Sequence, residues 1–222
     1  MKNVTILLFL FIGFQSIAQK DSLQIGDKYW EDQLYMYISY NTILKQPKET
    51  SNSGFSYGIT LGYIKDVPLN NQGNVSVGIG AGYNYESFNH GLRVLSSDEI
   101  IHDPDAGISS NEIKLHNIEF PIQFRWRTSD AVTYSFWRIY TGVKLTYNLS
   151  NKFSYQLNNQ SFNYRNINIY NDFQTGLELS VGYGAFNLFV YYGLTPMYKN
   201  VVIDTEKVNS KIAKFGLIFY LL

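Results

Sequence analysis

The 222-residue chain reads as all-β, an eight-stranded antiparallel up-and-down transmembrane β-barrel, and three observations point there. Apolar residues recur at every second position, as in Val75-Ser76-Val77-Gly78-Ile79-Gly80-Ala81-Gly82-Tyr83-Asn84-Tyr85 and Phe173-Gln174-Thr175-Gly176-Leu177-Glu178-Leu179-Ser180-Val181-Gly182-Tyr183. Period two is the mark of a strand, because successive side chains point to opposite faces of a sheet. Long and short connections alternate along the chain. An export signal stands ahead of them. An apolar face opposite a Gly/Ser/Asn/Glu face, on an exported chain, is what an outer-membrane barrel requires.

Lys2 and the apolar run from Val4 to Phe14, interrupted by Thr5 and Gly13, begin the chain, and Ser16-Ile17-Ala18 follows with small residues where a signal peptidase reads. Residues 1–18 are therefore expected to be a signal peptide cut after Ala18, 19–32 a short periplasmic segment and 33–222 the barrel domain. The run is too short for an anchoring helix, which needs roughly 20 apolar residues. With no cysteine, neither a lipid anchor at the cut nor disulfides are expected. Lys+Arg equals Asp+Glu at 18 each, so nothing calls for a nucleic-acid surface. Nineteen Tyr and fifteen Phe have a cause in a membrane barrel, where amphipathic rings collect at both bilayer interfaces.

Eight strands are expected at about 33–44, 54–64, 74–87, 113–127, 135–149, 171–184, 186–195 and 211–222. Leu34, Met36, Ile38 and Tyr40 form the lipid face of the first, and Phe55, Tyr57, Ile59, Leu61 and Tyr63 that of the second. Ile118, Phe120, Ile122, Phe124 and Trp126 serve the fourth, and Trp137, Ile139, Val143, Leu145, Tyr147 and Leu149 the fifth. Phe215, Leu217, Phe219 and Leu221 serve the last. Segments 45–53, 88–112, 150–170 and 196–210 read as long polar external loops, and 65–73, 128–134 and 185 as short periplasmic turns. A soluble up-and-down barrel would bury its apolar face inside. Here the inward set of Ser56, Gly58, Gly62, Gly78, Gly80 and Gly82 is too small to build an apolar core.

Eight strands leave an interior just wide enough for side chains to fill, so a plugged lumen is expected. Glu86, Glu119, Arg125, Arg127, Arg138, Lys144 and Glu178 are its expected charge network, with Gln123 and Lys214 beside them. A basic constriction selecting anions is the alternative use of these cations. Mutual pairing is the favoured one, because an unpaired charge in a narrow interior is costly. Glu119 and Arg125 lie about 20 Å apart on one strand at ~3.3 Å per residue, so each needs a partner elsewhere, Arg138 or Lys144 for Glu119. Pro121 cannot donate to a ladder, and a bulge or local break is expected there.

Asn117-Ile118-Glu119-Phe120-Pro121-Ile122-Gln123-Phe124-Arg125-Trp126 resembles the "L-E-I-P-L-x-x-K-Y" strand of the PorT-like outer-membrane barrels of Bacteroidetes. Tyr140-Thr141-Gly142-Val143-Lys144-Leu145-Thr146-Tyr147 is similar to their following "G-x-x-x-S-Y" segment. Tyr192-Gly193-Leu194-Thr195 and Phe215-Gly216-Leu217-Ile218-Phe219-Tyr220 look like their last two strands. The resemblance implies an outer-membrane barrel with a structural or accessory role, linked to protein secretion or envelope maintenance, and it supplies no catalytic motif. A small-solute channel and a lipid-modifying enzyme are the alternatives.

Sites for chemistry are sparse. His102-Asp103-Pro104-Asp105, with Asp98 and Glu99, offers oxygen and imidazole ligands but matches no calcium-loop or zinc spacing, and a solvated external loop is the favoured reading. His116 near Ser109 and Ser110 is the one grouping suggestive of a nucleophile and base, and it reads as a polar strand end. Tyr35, Tyr37, Tyr83, Tyr85, Trp126, Trp137 and Tyr147 are expected in the interfacial girdles. No catalytic residue, metal or cofactor is expected. The expected partners are outer-membrane lipid and other envelope or secretion proteins engaged through the long external loops, not nucleic acid.

Overall fold

A computed structural model describes residues 32–46, 54–103, 107–128, 137–184, 186–203 and 205–221. The expected signal peptide and nearly all of the segment 19–32 fall outside these residues. The elements are β1 (Gln33–Leu44), β2 (Tyr57–Pro68), β3 (Val75–Asn89), β4 (Leu92–Ser96), β5 (Glu99–His102), β6 (Ser109–Arg127), β7 (Trp137–Leu157), β8 (Gln160–Arg165), β9 (Phe173–Tyr183), β10 (Phe186–Gly193), β11 (Val202–Ile203), β12 (Glu206–Lys207) and β13 (Lys211–Leu221).

Eight of them close a barrel. The ring runs β1-β2-β3-β6-β7-β9-β10-β13 and returns to β1, with every neighbouring pair antiparallel. Closure leaves no sheet edge in the bilayer, where an unpaired backbone amide would have no water to bond. The apolar alternate residues face outward on every wall. Leu34, Ile38, Ile59, Leu61, Ile122, Phe124, Ile139, Val181, Leu188 and Leu217 are among the exposed ones. From Phe173 to Tyr183 the outward band of β9 spans about 25 Å, taking ~3.3 Å per residue and a tilt of about 40°. Tyr40, Phe55, Tyr83, Tyr147, Phe173 and Tyr192 mark its upper border, and Trp126, Trp137, Tyr183 and Phe186 its lower one.

The first residues of β1 and the last of β13 pair at one end of the barrel, the end where β2 passes into β3, and the described parts of the long connections lie at the other. Three expectations about their extent need correction. The second strand begins at Tyr57 and continues through Pro68, so Lys65 and Asp66 belong to the ladder rather than to a turn. The segments 88–112 and 150–170 are not polar loops throughout. β6 and β7 continue well past the upper aromatic border, still paired as far as Ser109↔Gln156. β8 then folds back on β7, while β4 and β5 form a hairpin of their own. The hydrophobic residues inside these segments are what hold the extensions, as described below.

Pro121 interrupts the ladder without bending the register. Pairing with β3 passes from Ile122↔Ile79 to Glu119↔Gly82 in one frame, and pairing with β7 is continuous through Pro121↔Lys144. A local break is present, but the shifts in β6–β7 register fall at Ser109/Glu112 and His116/Asn117 instead. Pro lacks a donor yet keeps an extended φ, so a strand tolerates it at the cost of a bond.

Candidate functional site: the lumen

Alternation along each strand that sends apolar side chains to lipid sends their neighbours inward, and in this chain those neighbours carry charge. Glu86, Glu119, Arg125, Arg127, Arg138, Lys144 and Glu178 all face the interior and are buried. They sit in three layers.

The lowest, periplasmic layer is built on Asp66. Its Oδ1 accepts from Arg125 Nη1 at 2.8 Å and from Ser76 Oγ at 2.6 Å, and its Oδ2 accepts from Arg127 Nη2 at 2.8 Å. All three charged side chains are 0% exposed. Arg125 also donates to Gln33 Oε1, and Arg127 Nε donates to the Gly73 carbonyl at 2.8 Å. The Arg125 guanidinium lies 4.2 Å from the ring centroid of Tyr140 and 5.5 Å from that of Tyr220. Gly78 lets its stem pass, because a Cβ there would meet Arg125 Cδ. Arg138 donates to the Gly184 carbonyl at 2.5 Å and lies over Tyr220.

In the middle layer Lys144 stands between two carboxylates, 2.9 Å from Glu178 Oε2 and 3.3 Å from Glu119 Oε1. Gln123 donates to Glu178 Oε1 at 2.5 Å, and the Tyr35 hydroxyl donates to Glu119 Oε1 at 3.0 Å. Tyr35 reaches that far because Gly62 and Gly82 lie beneath its ring, where any Cβ would collide with it. Tyr37 presents its ring face to the Lys144 ammonium at 4.1 Å. Tyr35 and Tyr37 are therefore lumen residues, not members of a girdle. Their parity opposes that of Leu34, Met36 and Ile38 on the same strand, and parity decides the face.

The third layer joins Lys214 to Glu86, whose Oε2 also accepts from Asn117 Nδ2 at 3.1 Å. Amides extend it across four strands, from Thr60 through Asn84 and Asn117 to Asn148, and on to Asn151. Among the described residues five buried cations (Arg125, Arg127, Arg138, Lys144, Lys214) share the lumen with four buried carboxylates (Asp66, Glu86, Glu119, Glu178). Such near balance, with multiple hydrogen bonds to most carboxylates, is what a low-dielectric interior requires of buried ions.

Above these layers the interior turns apolar. Phe88, Ile113, Leu115 and Phe153 are buried with Leu92 and Val94 of β4, Ile100 of β5, and Ile167, Met197, Tyr198, Val201 and Val208 of the later connections. Backbone bonds stitch these connections together: Asn168 donates to Ser97 O, Lys199 to Ile169 O and Asn171 to Met197 O, at 2.9, 2.7 and 2.9 Å. Tyr155 adds a hydroxyl bond to Val94 O at 3.1 Å. His90 lies inside this cap, 3% exposed, its ring edge-on to Phe153 and its Nδ1 accepting from the Leu92 amide. Burial pushes its pKa down to about 3.

The other sequence candidates lie elsewhere. His116 is on the outer wall, with the Tyr83 hydroxyl 2.5 Å from its Nδ1 and the Tyr85 ring beside it. Ser109 and Ser110 lie six or seven positions along the strand, roughly 20 Å away. Asp103 pairs with Arg93 at 3.1 Å and Asp98 accepts from Asn168 at 2.8 Å. Asp66 is the charged residue that sequence reasoning missed. The signal is the alternation Ile64-Lys65-Asp66-Val67, which continues the parity of β2 into the segment 65–73 expected as a turn.

The description "Outer membrane protein beta-barrel domain" matches residues 17–199. The chain belongs to that family. It is accordingly an outer-membrane β-barrel protein. Among solved structures it is similar to the Ail attachment invasion locus protein of Yersinia pestis, at 12% identity and a TM-score of 0.35, over 85% of this chain and 96% of that one. It is also similar to the Neisserial surface protein A, at 13% identity and a TM-score of 0.41, over 87% and 99% of the two chains. A second structure of Ail, in complex with the heparin analogue sucrose octasulfate, gives 14% identity and a TM-score of 0.41 over 87% and 99%. No curated protein matches.

Proposed function

We propose that this barrel is a sealed scaffold of the outer membrane, a structural or accessory component that acts through its external surface rather than by conduction or catalysis. The observation that supports this is the filled interior: three charged layers and an apolar cap succeed one another from end to end, with Arg125, Asp66 and Phe153 fully buried. A conducting lumen needs water beside its charges, whereas here the charges are neighbours of each other and of Tyr35, Tyr37, Tyr140 and Tyr191. The resemblance of four of its strands to PorT-like barrels supports a role in protein secretion or envelope maintenance. Partners are engaged through the segments 88–112 and 150–170, whose mutual packing gives them a preset surface and so a smaller ordering cost on binding.

The test is single-channel recording of the refolded protein in planar bilayers, with Arg125→Ala beside it. No stepwise conductance is expected from the wild type. Reproducible steps whose size or ion selectivity changes in Arg125→Ala would replace the scaffold by a small-solute channel. Photo-crosslinkers placed in 88–112 then identify the partner in intact cells.

A further inference from the structure

The outer wall carries a groove of about 430 Å³ across β9, β10 and β13, open to the membrane. Its sides are Leu177, Leu179, Val190, Tyr192 and Phe215, all at least partly exposed and all on the lipid-facing parity. Its ends are small: Ala213 toward the external side, and Thr141 in the register row Thr141↔Leu179↔Val190↔Phe215, one row nearer the periplasm. Thr141 leaves no polar demand in the groove, because its hydroxyl already donates to the Glu178 carbonyl at 3.1 Å. The groove is therefore an apolar slot that runs from the middle of the lipid band toward its external border.

Directly above it stands a cation. Lys211 is two residues before Ala213 on the same face of β13, at the upper aromatic border. Its ammonium rests 5.5 Å from the ring centroid of Tyr192, and among the described residues no carboxylate pairs with it. A charged head fixed over an aromatic wall at headgroup height, with an alkyl-lined slot beneath, has the polarity profile of a single lipid molecule.

We propose that this groove is a specific site for one acylated lipid of the outer leaflet with an anionic, phosphorylated headgroup, with an acyl chain between Tyr192 and Phe215 and a headgroup phosphate on Lys211. The leaflet follows from Lys211, which stands at the upper aromatic border, on the side of the long connections. The size lies within the roughly 300–1,000 Å³ of small-molecule sites. The Lys–phosphate contact supplies the preference for an anionic headgroup, and the slot supplies the place.

Native mass spectrometry of the detergent-purified barrel, titrated separately with lipid A and with phosphatidylethanolamine, tests this. The wild type is expected to retain one lipid A about fivefold better than phosphatidylethanolamine, the gain of a single cation near a charged headgroup. Lys211→Ala should remove that preference, Lys211→Arg should keep it, and Ala213→Leu should lower retention of both lipids by filling the slot. Equal retention of the two lipids by the wild type overturns the proposal, as does unchanged binding in Lys211→Ala. A doubled mass that Ala213→Leu abolishes also overturns it, because the wall would then be covered by a second copy. Should Ala213→Leu fail to show the gel shift of a folded barrel on boiling, Lys211→Ala at the rim decides alone.

Discussion

At the periplasmic end of the interior, Arg125, Arg127 and Asp66 are buried together with no exposure, held by a bidentate carboxylate, a serine hydroxyl and two tyrosine faces. At the external end the same barrel is filled by Phe88, Ile113, Leu115 and Phe153, with His90 as the buried titratable group. The difference follows from what each region packs against. Inside the bilayer the wall surrounds a narrow space that long polar side chains cross to meet each other, and parity forces every second residue into it. Beyond the bilayer the strands of β6 and β7 leave the closed wall, and their inner faces need apolar cover from the connections. One end is specified by charge pairing and the other by hydrophobic burial, so they should fail in different ways.

The largest effect is expected at Asp66. Asp66→Ala removes the carboxylate that two buried guanidiniums share, and breaking a buried ion pair from one side costs about 3–5 kcal/mol. The urea midpoint of the whole barrel should fall, measured by the loss of the boiled-versus-unboiled gel shift. An unchanged midpoint would show that water reaches this layer. Phe153→Ala opens a cavity in the cap and costs about 3 kcal/mol there. The expected outcome is faster proteolysis of the segments 88–112 and 150–170 with the barrel's own midpoint preserved. Simultaneous loss of both would mean that cap and barrel are one cooperative unit.

The smallest effect is the pH response of the cap. His90 is neutral in the folded cap, with its pKa near 3, while an unfolded histidine titrates at about 6.5. Between these values the unfolded state binds the extra proton, so stability rises with pH across that window and is lost as pH falls through it. From pH 6.5 to 5 the cap should lose about 1.6 kcal/mol, since the slope reaches 1.36 kcal/mol per unit only once the unfolded histidine is fully protonated. Limited proteolysis at pH 7 and pH 5 checks this, and His90→Phe should flatten the response. A pH effect that survives in His90→Phe would place the titrating group elsewhere.

Much of the wall was legible because period two is a local signal that needs no partner. Ile118-Glu119-Phe120 or Leu177-Glu178-Leu179 states which side faces lipid without any knowledge of the neighbouring strand. The same rule applied strictly places Tyr35 and Tyr37 inside. Treating them as girdle residues on their aromatic character overrode parity, and burial in the lumen corrects it. Asp66 falls in the segment 65–73 expected as a turn, and only its pairing with Gly78, in a strand that runs on to Pro68↔Ser76, puts it in the lumen.

By itself the sequence determined an all-β, eight-stranded chain with one lipid face and one charged face, since alternation and connection length are properties of the chain read in order. Tertiary structure alone decided that Lys144 bridges Glu119 to Glu178, that Arg125 and Arg127 converge on Asp66, and that three distant segments bury one apolar cap. The physical reason is register. Which residues meet across a barrel depends on how far each strand is shifted against the next, and glycine-rich strands such as β3 leave that shift to the side chains that fill the lumen.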